Sequence, residues 1–202
     1  MPSADSRLLS LDVALRDTAR IPSLATGARA GGREVAALLL TGTFAGLLTA
    51  FADLGKGVPG HHILFAIFPM ALGLALVPRC AAGSVMGGAG LGTLALLGVA
   101  GVHLPGPGAL TGFALAGPML DLALRRGRAG WRLYAGFIAA GILTNVLAFL
   151  VRGTTKYLGF RGAGGGRDFT AWLPVAVWTY ALAGLVAGLV SAAVWFHFRV
   201  RE

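Results

Sequence analysis

The chain has 202 residues, of which 56% are apolar and only 12% are charged, and its formal net charge is +9. Soluble globular domains average about 25% charged residues, so this composition excludes an ordinary soluble domain. The basic residues flank long uncharged tracts instead of forming one basic patch, which argues against nucleic-acid binding and is typical of a membrane protein.

The uncharged tracts predict six membrane helices. A membrane span needs about 20 mostly apolar residues. The tract 80–120 is long enough for two spans, and the Pro- and Gly-rich residues 104–108 mark a turn between them. We therefore predict an all-α integral membrane protein in which residues 33–202 form a bundle of six transmembrane helices, at about 35–52, 62–78, 83–103, 109–124, 132–151 and 172–198.

Residues 1–32 precede the first apolar tract and are predicted as a cytoplasmic tail. They mix Asp and Arg throughout and lack an apolar core segment, so they do not resemble a signal peptide. Leu8, Leu11 and Leu15 share one helical face, which fits an amphipathic helix lying on the membrane surface. A disordered tail is the alternative.

The basic residues predict the orientation of the bundle. With six spans, both termini lie on one side, and that side carries 12 of the 17 Lys and Arg residues. Since basic residues collect on the cytoplasmic side, we expect both termini in the cytoplasm and the protein in the inner (plasma) membrane. The other five are Lys56, Arg152, Lys156, Arg161 and Arg167. Four of these lie in residues 152–167, where they either serve a ligand or indicate a miscounted span.

With this topology, polar residues converge at the outer end of the bundle. Polar groups at membrane depth are costly and tend to mark sites. We expect a small organic solute to bind there, held by hydrogen bonds and by a charge from one of two lysines, with residues 152–171 folding over it as a lid. The candidate substrate-binding residues are Asp53, Lys56, His61, His62, His103, Asn145, Lys156 and Tyr157.

A transition metal is the alternative ligand of this end, with His61, His62 and His103 as its ligands. Adjacent histidines diverge on a helix, so the organic solute is favoured. Cys80 is the only cysteine, which excludes an intrachain disulfide and a cysteine metal site. The chain has no HExxH, no GxSxG and no paired carboxylates, so we predict neither enzymatic activity nor a cofactor.

Some residues are assigned to packing or to the membrane interface. Gly42, Gly46 and Ala50 recur every fourth residue on the first helix, a spacing that lets helices approach closely, either within the bundle or against a partner protein. Asp121 is expected to pair with Arg125, four residues on. Trp172 is interpreted as an aromatic anchor at the outer membrane interface, and Tyr180 is interpreted as a packing residue.

The segment that starts at Val58, VPGHHILFAIFPMALGLALVPRCAAGSVMGGAGLG, and continues to GPMLDLAL resembles the membrane substrate-binding component (S component) of energy-coupling factor transporters for vitamins and their precursors. The size and the six helices fit that family. The basic LVPR junction followed by a Gly- and Ala-rich helix is similar, as is GPMLDLAL to the family's GP-x-x-[DE] helix.

The resemblance implies a substrate-capture subunit that works with a transmembrane coupling protein and two cytoplasmic ATPases. It also implies that a small-residue motif on the first helix docks the coupling protein, and Gly42, Gly46 and Ala50 are the nearest match. The family motif is Ala-x-x-x-Ala, from which this chain departs. A nickel or cobalt uptake component and a non-transporting membrane assembly or scaffold protein are the alternative functions.

Overall fold

The computed structural model describes residues 31–52, 59–79, 81–126, 130–160 and 168–199. The predicted amphipathic helix in the tail lies outside these residues. The described chain folds into six helices and confirms the predicted all-α bundle. They are α1 (Gly32–Phe51), α2 (His62–Leu76), α3 (Ala82–Val99), α4 (Pro107–Arg126), α5 (Gly130–Tyr157) and α6 (Phe169–Arg199).

Five of the six helices, all except α2, are long and apolar enough to cross a membrane, so the chain is a multi-pass membrane protein. The second helix differs from the prediction of six full spans. It has 15 residues and is therefore about 22 Å long at a rise of 1.5 Å per residue. That length is less than the hydrocarbon core of a bilayer, which is about 30 Å thick.

The short helix α2 lies at the centre of the bundle. In the described part of the chain it contacts all five other helices, which follow one another around it in the order α1, α3, α4, α5 and α6. Most of its side chains are buried, and Ile67, Met70 and Leu74 are almost completely so. Because its neighbours shield it from lipid, its length is not dictated by the thickness of the bilayer.

Helices α1 and α3 run in the same direction and pack backbone to backbone. A Cβ added to Gly42 would clash with the carbonyl of Met86, and one added to Gly46 would lie 2.8 Å from the carbonyl of Gly90. Ala50, the third residue of this ridge, is half-buried. The ridge is therefore largely covered by α3 of the same chain, which favours packing within the bundle over docking of a partner.

Sequential helices from α3 onward run antiparallel. Gly83 at the start of α3 touches Gly117 near the end of α4, and Gly141 of α5 packs against Gly184 of α6. The start of α1 and the end of α6 therefore lie at the same end of the bundle. We call this the Asp121 end, after a residue of α4, and we call the opposite end the Arg152 end, after a residue of α5.

The ends of α3 and α5 differ from the prediction for a shared reason. Each is closed by a left-handed glycine, Gly101 (φ 83°) and Gly159 (φ 70°). In each case the residue after the glycine donates a backbone hydrogen bond back into the last turn, at 2.9 Å for α3 and 3.1 Å for α5. Consequently α3 ends before His103, and α5 continues beyond residue 151 and includes Lys156 and Tyr157, which were predicted in a loop.

Candidate functional site

A small cavity lies toward the Arg152 end, where α2, α4, α5 and α6 meet. The volume of the cavity that is open to the centre of a water molecule is about 10 Å³. That volume holds about one water molecule. Its polar side chains come from three different helices, and glycines of α4 bring the backbone close. The lining residues are Gly60, His62, Ile63, Gly108, Ala109, Gly112, Phe113, Asn145, Ala148 and Tyr180.

Asn145 is the polar centre of this site and is only 2% exposed. Its side-chain amide donates to the backbone carbonyl of Tyr180 at 2.6 Å and to that of Gly60 at 3.3 Å. One side chain of α5 thus holds both α6 and the turn that precedes α2. Gly60 has φ 86°, and a Cβ there would lie 2.9 Å from the Tyr180 ring, so the turn requires glycine.

The two histidines lie at the start of α2, beside the cavity. His61 is the N-cap residue and His62 is the first helical residue. Their rings stack with centroids 4.2 Å apart, and Phe65 meets His61 edge-on. They do not diverge as expected for adjacent residues of a helix. Of the pair, His62 lines the cavity.

An aromatic cluster extends the site toward the membrane surface. Phe149 of α5 stacks on Trp172 of α6 at 5.7 Å between centroids and meets Tyr180 edge-on at 5.5 Å. Lys156 lies 5.9 Å from the centre of a Trp172 ring, within range of a cation–π contact. The guanidinium of Arg152 interacts with the Tyr180 hydroxyl. Two basic side chains of α5 therefore lie against aromatic side chains of α6 here.

The structure brings only part of the predicted site together. His62 and Asn145 line the cavity, and His61 stacks on His62. Lys156 lies on Trp172 in the neighbouring aromatic cluster. Asp53 and Lys56 lie outside the described residues.

Two other predicted residues lie away from the cavity. His103 is exposed in the connection after α3, and Tyr157 is 74% exposed and meets Phe169 edge-on. Neither is among the residues that line the cavity. For His103 the reason is the early end of α3 at its left-handed glycine, which leaves the residue beyond the last helical turn.

Sequence reasoning missed Gly60, Tyr180 and Trp172 as members of the site, and it gave a ligand role to Arg152 only as one of two alternatives. One signal for Arg152 was present. Phe149, Arg152 and Lys156 follow helical spacing, so they share one face if α5 is continued past residue 151. The positions of Tyr180 and Trp172 depend on the rotation of α6, which the sequence does not specify.

The metal alternative is not supported by the described residues. Among them, no group of three or more His, Cys, Asp or Glu side chains could hold a metal ion. The predicted set of His61, His62 and His103 does not assemble, because His103 is exposed beyond α3 while the other two are at the start of α2.

The Asp121 end contains a different polar arrangement. Asp121 is 6% exposed and accepts hydrogen bonds from the backbone N–H groups of Gly83 and Ser84, both at 2.8 Å, and from the Ser84 hydroxyl at 2.7 Å. The first N–H groups of a helix have no partner within that helix. Asp121 of α4 therefore caps α3 across the interface, a role different from the expected pairing with Arg125.

This contact explains two residues of the GPMLDLAL segment. A Cβ at Gly117 would clash with the carbonyl of Gly83, so glycine at this position allows α4 to approach α3. One turn later, the approach brings Asp121 to the exposed N–H groups of α3. Beside it, Arg79 forms a 2.7 Å ion pair with Glu34 that links the end of α2 to the start of α1.

In comparisons with known proteins, the chain matches no protein-family model, no curated protein and no solved structure. The resemblance to S components therefore depends on the residues quoted for it.

Proposed function

We propose that this chain is the membrane-embedded substrate-capture subunit of a small-solute uptake transporter. The observation that carries the proposal is the convergence of His62, Asn145 and Tyr180, from three helices, on one cavity. Buried polar groups inside a membrane bundle are costly, and they are usually retained for a pathway or a site. The resemblance to S components names the class of solute as a vitamin or a vitamin precursor.

The difference between the two ends of the bundle supports capture from one side rather than a continuous pore. At the Asp121 end, α3 and α4 touch backbone to backbone, and the buried carboxylate is fully engaged. At the Arg152 end, aromatic side chains lie between α5 and α6, although Gly108 still brings α4 close to the backbone of α5 at Ala148. A solute therefore enters from the Arg152 end.

The proposed orientation places the Arg152 end outside the cell. The Asp121 end holds the start of α1 and the end of α6, next to the larger share of the basic residues. By the positive-inside rule this end faces the cytoplasm of a plasma membrane. The partners in the proposal, a coupling protein and two ATPases, would act from that side, since the chain contains no Walker sequence of its own.

Capture requires a change of shape. Pockets for drug-sized molecules typically measure about 300–1,000 Å³, whereas the centre of a water molecule can enter about 10 Å³ here. The helices around the cavity must therefore move apart to admit a solute. The hydrogen bonds from Asn145 to α6 and to the turn before α2 are the polar contacts that hold this region closed.

The test is to identify what the protein retains. Wild type and Asn145→Leu would be purified in lipid nanodiscs after exposure to a vitamin-rich extract, and bound small molecules would be identified by mass spectrometry. We expect one solute to be retained by wild type and lost, or reduced about tenfold to a hundredfold in affinity, in Asn145→Leu.

The matched control is Thr93→Val, which removes a hydroxyl that bonds only to the Ala89 carbonyl of its own helix among the described contacts. This variant should retain the solute. If the wild-type protein retains no solute, or if Asn145→Leu retains it as well as wild type does, the proposed function is wrong.

A further inference from the structure

The polar side chains around the aromatic cluster share one chemical property. Arg152, Lys156 and Trp172 can donate hydrogen bonds but cannot accept them. Arg152 is next to the cavity, because a Cβ added to cavity-lining Gly108 would lie 2.7 Å from the Arg152 Cβ. Its guanidinium contacts the hydroxyl of Tyr180, which also lines the cavity. Donors thus collect along one side of the site.

The acidic side chains are distributed differently. Within the described ranges they are Glu34, Asp121 and Asp168. Glu34 and Asp121 are engaged at the opposite end of the bundle, by Arg79 and by the start of α3, respectively. Asp168 is exposed in front of α6. Of the acidic side chains that the structure describes, Asp168 is therefore the one at the Arg152 end, and it is exposed.

In the sequence, basic residues also outnumber acidic residues in the segments that connect the helices at the Arg152 end. Residues 52–61, 100–106 and 152–168 contain five basic and two acidic residues, a formal surplus of three positive charges. In the proposed orientation this surplus lies outside, against the positive-inside rule. A role in binding a ligand is one of the two explanations that the sequence offers for these basic residues.

Trp172 supplies an independent observation. The side chain is 4% exposed, and its indole N–H has no hydrogen-bond partner within the described chain. Buried donors in native structures are rarely left without an acceptor. A solute that carries an acceptor group would satisfy this N–H, and the neighbouring ring of Phe149 provides an apolar surface beside it.

We propose that the solute captured at this end is a small organic anion, whose carboxylate or phosphate group is bound by Arg152 with the indole N–H of Trp172 as a second donor. The planar guanidinium matches the geometry of both anions and binds them through paired hydrogen bonds. The assignment rests on the proposed function and names the class of solute. Opening of the cavity brings the solute into contact with Arg152, in place of the Tyr180 hydroxyl.

The test uses four probes that share one ring and differ in charge: benzoate, phenyl phosphate, benzamide and benzamidine. Each would be titrated by calorimetry into the full chain in lipid nanodiscs. We expect at least one of the two anions to bind at least about tenfold more tightly than neutral benzamide, and cationic benzamidine to bind most weakly. Comparison of benzoate with phenyl phosphate decides between the two anionic groups.

Variants connect the preference to the residues. Arg152→Gln should weaken binding of the preferred anion by about tenfold to a hundredfold, and Arg152→Lys should restore part of it. Arg125→Gln, an exposed position at the opposite end, should bind as wild type does. Trp172→Phe keeps a six-membered aromatic ring, removes the N–H and should weaken binding several-fold. The unfolding temperature of this variant separates loss of the donor from loss of packing, so the inference stays testable if Arg152→Gln does not fold.

The inference is overturned if wild type binds neither anion, if benzamide or benzamidine binds as tightly as the anions, or if Arg152→Gln and Trp172→Phe leave anion binding unchanged. Mass spectrometry of the solute retained by wild type separates the two proposals. A neutral or cationic solute that depends on Asn145 removes the anion assignment and leaves solute capture in place. Retention of no solute removes solute capture itself.

Discussion

The buried carboxylate at one end of the bundle and the buried indole at the other differ in whether the chain supplies their hydrogen-bond partners. At the Asp121 end, a buried carboxylate accepts hydrogen bonds from the two N–H groups and the hydroxyl that surround it. At the Arg152 end, the indole N–H of Trp172 is buried without a partner within the described chain, as is the hydroxyl of Thr144, which adjoins Asn145. The buried carboxylate at the first end is satisfied by its own chain, whereas the Trp172 N–H at the second retains capacity to bind a further molecule.

The packing of the helices also differs between the two ends. Gly83 and Gly117 let α3 and α4 meet at their backbones, so there is no side chain whose rotation could open that contact. At the other end, Phe149, Trp172 and Tyr180 fill the space between α5 and α6, and such side chains can change rotamer. The comparison indicates that the Asp121 end is a fixed base and that shape changes occur at the Arg152 end.

The largest effect is expected from Asp121→Ala. The substitution leaves two backbone N–H groups and the Ser84 hydroxyl without their acceptor, which should lower the free energy of unfolding by about 3 kcal/mol or more. Thermal unfolding in detergent measures it. Asp168→Asn, at an exposed site, is the matched control and should unfold as wild type does. Equal unfolding temperatures for Asp121→Ala and wild type would contradict a fixed base at this end.

Gly46→Leu should have the next largest effect. Its side chain would meet the backbone of α3 at Gly90, and overpacking of this kind typically costs about 1–3 kcal/mol. Gly88→Leu adds the same side chain to the outer face of α3, where a Cβ meets nothing within 4 Å, and it should leave the unfolding temperature unchanged. A Gly46→Leu variant as stable as Gly88→Leu would show that α1 and α3 are not in close contact.

Asn145→Leu should cost less stability than Asp121→Ala, even though Asn145 is the more buried of the two residues. It removes two neutral hydrogen bonds, and such bonds between membrane helices contribute about 1 kcal/mol in total. The same thermal-unfolding measurement applies. A loss as large as that of Asp121→Ala would show that the Arg152 end is as rigid as the other.

The substitutions expected to perturb the protein least test the orientation of the bundle in the membrane. Single cysteines at Leu158 and Trp131, exposed at the Arg152 end and the Asp121 end respectively, would be introduced on a Cys80→Ser background. We expect a membrane-impermeant thiol reagent added to whole cells to label Leu158→Cys and not Trp131→Cys. The reverse pattern would place the cavity on the cytoplasmic side and contradict uptake from outside.

The number and order of the helices could be predicted from the sequence, because an apolar tract without charge has few other stable conformations in a membrane. The ends could not. Arg152 and Lys156 were taken as the limit of a helix, whereas charges limit the depth in the membrane and not the hydrogen-bonded turns. The α5 helix continues until Gly159 adopts a left-handed conformation.

The candidate site was predictable where residues depend on topology alone. His62 and Asn145 were assigned to one end because alternating spans place them there. Asp121 was misassigned, and the packing assignment of Tyr180 did not include its place beside the cavity, because their partners are distant in sequence: an amide on α5 bonds the carbonyl of Tyr180, and the start of α3 donates to Asp121. Such contacts depend on how the helices are rotated and paired, and no periodicity in a uniformly apolar helix records that.

The central position of α2 has a consequence for biosynthesis. Its neighbours include α1, made just before it, and α6, which is the last of these six helices to leave the ribosome and with which it shares its most extensive interface. A helix of 15 residues is shorter than the roughly 20 needed to span a bilayer on its own. Until α6 is complete, α2 lacks the neighbour that shields much of its surface, so a nascent chain that stalls before residue 169 presents an unfinished core to the lipid and to membrane proteases.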